Sequence, residues 1–398
     1  MRKGGFFMDQ KFDIEERLKA FIEMGDYEII DSTEYFYRSY NKTELIALSR
    51  QLGKPIKTKY KKAEVVDLFM KQFMNEETLT KGLITINDRA YELLDDIVHD
   101  DVTGHLLNLI DLLMLDRLET KGFFFIADSE TFVISKEATK MVKKIFKNKD
   151  YQALRPKLSY LNAIISYCDI VYGVINLNYV QLLYQYKFPK ATAQEVLDLY
   201  HQLPDPAMTY DEEKKDFLSD FVTRENVYDD VVKLHQQNII SLPSKEELDD
   251  YLYYGFPYSN QAYLHLLFFL IINSMDDLTQ PIHDVHELFK AVSFEVPFQD
   301  LLTYYDDYII DDDMLEMFVP IIMECFNTSR HFKSNGHIPD EDMMNLLKSG
   351  GSIPLPDDEH LLDELKSHLD ELHDMGFDIN DYNEVVLKDR DDTDGFVS

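Results

Sequence analysis

Several histidine and carboxylate clusters in this chain have spacings that would suit metal or phosphoryl chemistry, and each lacks a part that the chemistry needs. The His99-Asp100 pair in "IVHDD" could hold a metal in a phosphohydrolase centre. That chemistry requires an upstream histidine ligand, and none of the twelve histidines precedes residue 99. In "HDVH", His283 and His286 lie close to one helical turn apart and could chelate through one face, but no third ligand stands at a recognisable spacing. His360, Glu364 and His368 recur every four residues in "HLLDELKSHLDELHD". They flank a stripe of Leu361, Leu365, Leu369 and Leu372, which reads as an acidic helix that docks on a partner. "PDPAMTYDEEKK" offers Pro-Asp followed by Glu-x-Lys, a nuclease-like combination. Such carboxylates must sit on neighbouring strands, whereas this stretch reads as a loop entering a helix. No phosphate loop of the GxxxxGK[ST] type exists, and "SGGSIP" at 349–354 lacks the lysine. No Ser or Cys stands in a nucleophile context. The reading leans away from an enzyme and assigns no catalytic residue, metal or cofactor.

A different chemistry is written in residues 40–73, "YNKTELIALSRQLGKPIKTKYKKAEVVDLFMKQF", which carry eight Lys and Arg against three acids in a chain of formal net charge −34. Lys42, Arg50, Lys54, Lys57, Lys59, Lys61 and Lys62 could neutralise several phosphates and release their counterions, giving an affinity that falls with salt. Tyr40 and Tyr60 could stack on an unpaired base, although burial is the alternative role for at least one. Contacts to the backbone position a protein without reading sequence, so DNA and RNA are both open. The plain alternative is a helical hairpin with a solvated lysine face.

The elements that must position these residues follow from composition and periodicity. At 398 residues, 45% hydrophobic and 13% aromatic, the chain can bury two or three cores. Cys168 and Cys325 are far apart and in no CxxC pair, so neither a disulfide nor structural zinc is expected. The N-terminus has no long apolar run of a signal peptide. "AYLHLLFFLIINSM" is too short to span a bilayer, so no membrane partner is expected and the expected compartment is the cytoplasm. A second basic run covers 135–157, whereas the half after residue 200 is strongly acidic. That asymmetry marks a head with basic patches on an acidic body, which would contact a protein partner.

The pattern predicts a mainly α fold: a helical hairpin, winged-helix-like units with short β-wings, and a C-terminal helical bundle. Residues 1–35 form a helical arm with an amphipathic helix over 11–23, and 36–75 form the hairpin. Its first helix is capped by Asn41 or Thr43 and stops at Gly53, with Leu45, Ile46, Leu48 and Leu52 inward. Its second turns Val65, Val66, Leu68, Phe69 and Phe73 inward. Over 76–157 two helices precede "FFFIADSETFVIS", a strand, turn and strand, and a closing helix, the order of a winged-helix-like domain. Its second helix carries Asp111, Asp116 and Glu119 and is no groove reader. A second winged-helix-like unit covers 158–254, with "LHQQNIISLPSKEELDDYL" echoing the first as an extended segment, a cap and a helix. A bundle covers 255–348, and an acidic helix with a frayed tail covers 349–398.

Residues 40–73 resemble the SAP-like and Rho N-terminal-like modules, small nucleic-acid-binding headpieces. "FNTSRHFKSNGHIPDED" (326–342) is similar to the "NNTRLWxNxGHTPxEL" signature of uncharacterised, mainly Firmicutes proteins that usually carry a SEC-C zinc tail. The resemblance extends over 158–348 through "YGVINLNYVQLLYQYKFPKATAQEVLDLYHQL" and "LPSKEELDDYLYYGFPYSNQAYLHLLFFL". The cysteines of that tail are absent here, so its zinc is not carried over. The resemblance implies an architecture and a bacterial cytoplasmic setting, and transfers no catalytic residue. The function expected is a non-enzymatic nucleic-acid-binding or regulatory protein. The alternatives are a pure protein-interaction scaffold, or a toxin or phage-defence factor with a cryptic activity.

Overall fold

Short polar caps start most of the helices, and the apolar residues between them decide which way each helix faces. The structure, a computed structural model, describes residues 26–51, 54–99, 124–127, 131–273, 280–305, 308–309, 311–355, 365–380 and 382–388. It begins with β1 (Asp26–Ile30) and α1 (Thr33–Ser39), followed by α2 (Lys42–Gln51), α3 (Lys62–Phe73), α4 (Glu76–Leu83) and α5 (Asp88–His99). Asn41 Oδ1 accepts from the Thr43 and Glu44 amides at 2.9 and 3.0 Å, and Asn75 Oδ1 accepts from the Thr78 amide at 3.0 Å. Leu45, Ile46, Val65, Val66, Phe69 and Phe73 are buried as the periodicity predicts, around Tyr37 of α1. Leu48 and Leu68 pack partly buried against the same core.

Strands β2 (Phe124–Ala127) and β3 (Thr131–Ser135) form the expected antiparallel hairpin, and α6 (Lys136–Phe146) follows directly. Ser135 caps α6 by accepting from the Ala138 amide at 3.1 Å. A third strand was hidden in the region read as a helical arm: β1 runs parallel to β3, with Asp26 opposite Thr131 and Ile30 opposite Ser135. "DYEII" carries β-favouring residues, and the free edge of β3 gives it a partner distant in sequence. The helices predicted over 11–23 and after residue 102 lie outside the described residues.

The body starts with α7 (Lys149–Val171), a 23-residue helix through which the division drawn between 157 and 158 passes. Then come β4 (Val174–Asn176), α8 (Leu177–Tyr184), α9 (Ala193–Tyr200), β5 (Met208–Asp211) and β6 (Asp216–Ser219). Their antiparallel sheet has the order β4-β6-β5, giving a winged-helix-like sequence of helix, strand, two helices and a hairpin. The wing is therefore built from "MTYD" and "DFLS" rather than from residues near 240.

This corrects the reading of "PDPAMTYDEEKK" as a loop entering a helix. Asp211 Oδ1 accepts from the Glu213 and Lys214 amides, both at 3.0 Å, and Lys215 takes φ 60°, so a local turn overrides the helix-forming composition of "DEEKK". Asp211 and Asp216 do face each other across the strands, but both are occupied. Asp211 Oδ2 accepts from Lys214 Nζ at 2.9 Å, while Asp216 accepts from Tyr228 Oη at 2.7 Å and Asn176 Nδ2 at 2.9 Å.

The remaining helices are α10 (Asp220–Glu225), α11 (Tyr228–His235), α12 (Lys245–Tyr254), α13 (Gln261–Asn273), α14 (Gln280–Ser293), α15 (Phe298–Tyr304), α16 (Asp312–Thr328) and α17 (Pro339–Lys348). Helix α13 is apolar almost all round and lies buried between α14 and α16, as such a helix must. Where an acidic helix and frayed tail were expected, β7 (Ile353–Pro354), α18 (Leu369–Asp374), β8 (Phe377–Ile379) and β9 (Glu384–Leu387) build a small antiparallel sheet of order β7-β9-β8. His360 and Glu364 lie outside the described residues.

One continuous apolar core runs from Tyr37 to Cys325, so head and body share an interior. Polar contacts seal the junction. Asp88 at the start of α5 accepts from Arg155 Nη2 and Lys187 Nζ, both at 2.7 Å, and Arg155 Nη1 also donates to the Ile86 carbonyl at 3.0 Å. Burial opposes ionisation of Asp88, but the two cations outweigh it and hold its pKa below the usual carboxylate value.

The "NTSRHFKSNGH" segment is a second such fastening. Arg330, 6% exposed, donates from Nε and Nη2 to the two carboxylate oxygens of Glu247 at 2.6 and 2.9 Å, and from Nη1 to the Gly336 carbonyl at 2.7 Å. Asn335 and Gly336 follow with φ of 58° and 81°, turning the chain tightly against Tyr172. Phe332 closes over Gly173, leaving no room for a side chain there.

Candidate nucleic-acid interface

The loop between α2 and α3 is held from below and charged on top. Ser49, fully buried, donates to the Ile46 carbonyl at 2.7 Å and accepts from the Ile56 amide at 3.0 Å. Ile56, 4% exposed, plugs the loop into the core. Lys54, Lys57 and Lys59 flank that plug and are exposed.

The seven predicted cations divide into two groups. Lys42, Lys54 and Lys62 spend their ammonium groups on the fold. Lys42 Nζ donates to the Thr58 carbonyl at 2.6 Å and Lys62 Nζ to the Arg38 carbonyl at 2.7 Å, while Lys54 Nζ reaches the Gln72 carbonyl at 3.3 Å and Thr78 Oγ1 at 3.4 Å. Arg50, Lys57, Lys59 and Lys61 are exposed, and among the described residues none has a carboxylate partner. Lys59 Nζ sits 5.3 Å from the ring centroid of Tyr60, which is half-buried, as is Tyr40. Neither tyrosine stands clear of the core to act as a bare stacking platform.

The second basic run supplies residues outside the predicted set. Lys136, Lys140, Lys143, Lys144 and Lys147 recur along one side of α6 and line a groove of about 630 Å³ with Ile29, Val98 and Thr139. Lys136 pairs with Asp31, whose pKa it lowers, and Lys144 pairs with Glu76. Lys140, Lys143 and Lys147 have no such partner among the described residues. Their spacing at one helical face was the signal that could have selected them. Helix α4 links the two patches: Lys54 touches Thr78 in its first turn, and Lys144 touches Glu76.

Other parts of the chain are less suited to phosphate. Helix α9 of the winged-helix-like unit exposes Gln194 and Asp198, which bond to each other at 2.8 Å, and its Glu195 accepts from Lys157 at 2.9 Å. His99 Nδ1 lies 2.9 Å from the Asp95 carbonyl of its own helix, and Asp100 is outside the described residues. His283 and His286 project from α14 into a cleft, with His286 Nδ1 2.6 Å from the Gly255 carbonyl. Among the described residues, no three His, Cys, Asp or Glu side chains gather as a metal site, and no helix is long and apolar enough to cross a membrane. Cys168 and Cys325 are both buried and unbridged, and burial pushes both thiol pKa values far up.

No family model matches the chain, and no match to it was found among curated proteins or solved structures.

Proposed function

We propose that this chain is a non-enzymatic nucleic-acid-binding protein that holds a phosphate backbone on its N-terminal hairpin and regulates or is regulated through its acidic body. One observation carries the reading. In a chain with 74 acids against 40 Lys and Arg, four clustered cations (Arg50, Lys57, Lys59 and Lys61) remain exposed without a carboxylate partner among the described residues. Pairing is the cheap fate of a surface cation among so many acids, so unpaired clustering leaves charge available to an external anion.

If all four hairpin cations and Lys140, Lys143 and Lys147 engage duplex phosphates, the logarithm of the binding constant should fall with that of salt at a slope of about −6. Raising salt from about 50 to 200 mM would then weaken binding by about three to four orders of magnitude. Fluorescence anisotropy with labelled single- and double-stranded DNA and RNA measures this on the full chain. Lys57→Gln, Lys59→Gln and Lys61→Gln together should reduce the slope by about 3. An unchanged slope, or no binding by the wild type at low salt, defeats the proposal.

A second reading, a scaffold that contacts only proteins, is favoured by the acidic exposed face of α9 in the position where a winged-helix-like unit would meet a groove. Recovery of a stable stoichiometric partner from nuclease-treated lysate, with no DNA or RNA binding, would select it.

A further inference from the structure

Helix α7 runs through the middle of the molecule and buries Tyr, Leu and Ile on most of its sides. One face is different: Ser159, Asn162, Ala163 and Ser166, at helical spacing, are small or polar. They look into a cleft of about 460 Å³ where head and body meet. Its other walls are the Thr85–Asn87 segment, Tyr251 and Tyr254 of α12, and His286, Glu287 and Lys290 of α14.

The lining is unsatisfied. Ser159 is only 6% exposed, yet its hydroxyl has no hydrogen-bond partner among the described residues, and neither do the side chains of Thr85, Asn162 and Ser166. Ser159 is buried and Thr85, Asn162 and Ser166 are half-buried, so all four keep donors and acceptors turned to a cleft in which a ligand or ordered water can complete them. The volume falls within the range of about 300–1,000 Å³ typical of small-molecule sites. The rim, by contrast, is fixed: Asn87 donates to the Leu252 carbonyl at 3.0 Å and accepts from the Ala90 amide at 2.7 Å.

The chemistry of the lining narrows the ligand. Lys290 Nζ and Glu287 Oε1 are 2.6 Å apart and cancel, and the whole chain carries −34, so an anion has no local reward for entering. Hydroxyls at Thr85, Ser159 and Ser166 suit the hydroxyls of a sugar. The Asn162 carboxamide is both donor and acceptor, matching a base edge, and tyrosine rings with Ala163 offer an apolar wall to a flat heterocycle. We propose that this cleft binds an uncharged nucleoside. The site shares no residue with the basic hairpin and does not depend on that hairpin's function.

Isothermal titration calorimetry on the full chain with adenosine, guanosine, cytidine and uridine tests it, with their 5′-monophosphates as the charged arm. Saturable heat is expected from at least one nucleoside, with the corresponding monophosphate at least tenfold weaker. Ala163→Leu, which fills the cleft from a half-buried position, should abolish that heat. Asn162→Ala, which removes the carboxamide without filling the space, should weaken it about tenfold. Thermal melting of both variants shows whether they remain folded. No saturation by any nucleoside at millimolar concentration would mean that the cleft holds only water, and the proposal falls. It falls equally if both folded variants bind like the wild type, or if the monophosphate binds as tightly as its nucleoside.

Discussion

Removing the guanidinium of Arg330 should be among the most damaging single changes this chain can suffer. Arg330→Met keeps most of the side-chain volume but leaves Glu247, whose side chain is 24% exposed, without its bidentate partner. The Gly336 carbonyl loses its donor as well, whereas the Ser241 carbonyl keeps Tyr172 Oη at 2.7 Å. Breaking a buried ion pair from one side costs about 3–5 kcal/mol, and an orphaned carbonyl about 1–3 kcal/mol. The two overlap, and Glu247 can draw in water and still accepts from Tyr167 Oη at 3.2 Å, so we expect about 4 kcal/mol. Adding Glu247→Gln removes the stranded charge and should return about 2 kcal/mol. Guanidinium unfolding followed by circular dichroism measures the cycle, and hydrogen exchange over 236–247 and 329–337 reports the clamp itself. A cost below about 1 kcal/mol for Arg330→Met, or strict additivity in the cycle, would refute the assignment of this pair as the fastening of the 326–342 segment.

Gly336→Ala places a Cβ 2.5 Å from Tyr172 Cε1 and 2.6 Å from the Ser241 carbonyl oxygen at a φ of 81°, so it should cost about 2–4 kcal/mol. Gly350→Ala, at φ 84° with nothing within 4 Å, should cost only about 1 kcal/mol, and equal melting temperatures for the two variants would show that crowding is not what selects Gly336. His337 places Nδ1 2.8 Å from Asp342 Oδ1 and Nε2 2.6 Å from the Ile239 carbonyl, so both nitrogens face acceptors and the imidazolium is favoured. Burial opposes that charge, but the two acceptors outweigh it and its pKa is raised above the ordinary 6.5. The stabilisation is therefore complete below pH 6.5 and lost as pH rises through the higher folded value. His337→Gln should destabilise more at pH 5.5 than at pH 8.5 in thermal melts, and a pH-independent difference would contradict the doubly donating ring. His235 and His331, whose pKa values burial lowers, act in the opposite sense and are common to both proteins, so they cancel in the comparison.

The mainly helical class and the buried faces of α2 and α3 were legible because they rest on local signals: apolar residues at helical spacing and a capping Asn41. The β2–β3 wing was legible for the same reason. Strand β1 was not, because its partner lies a hundred residues away and five residues of "DYEII" carry no periodicity of their own. The β5–β6 hairpin was obscured by four charged residues with good helix propensity, Glu212, Glu213, Lys214 and Lys215, and only the Asx-type turn at Asp211 decides against a helix. At the candidate interface, charge gave away the cluster but not which lysines are free, since Lys42 and Lys62 are taken by carbonyls 16 and 24 residues distant.

The same contrast separates distinctive sequence from available chemistry. "NTSRHFKSNGH" is the least ordinary stretch of the chain, and its Arg330, Asn335, Gly336 and His337 are all consumed in holding one turn against residues 235–247. Ser159, Asn162 and Ser166 look unremarkable inside a long helix, yet they retain hydrogen-bonding capacity that the described residues do not use. A polar group whose bonds are already made inside the fold can position but cannot recognise. Recognition needs groups that folding leaves unsatisfied, and on the two proposals above those are the bare cations of the head and the polar line of α7. Those are the residues at which substitution should alter binding while leaving the melting temperature nearly unchanged, the reverse of what is expected at Arg330 and Gly336.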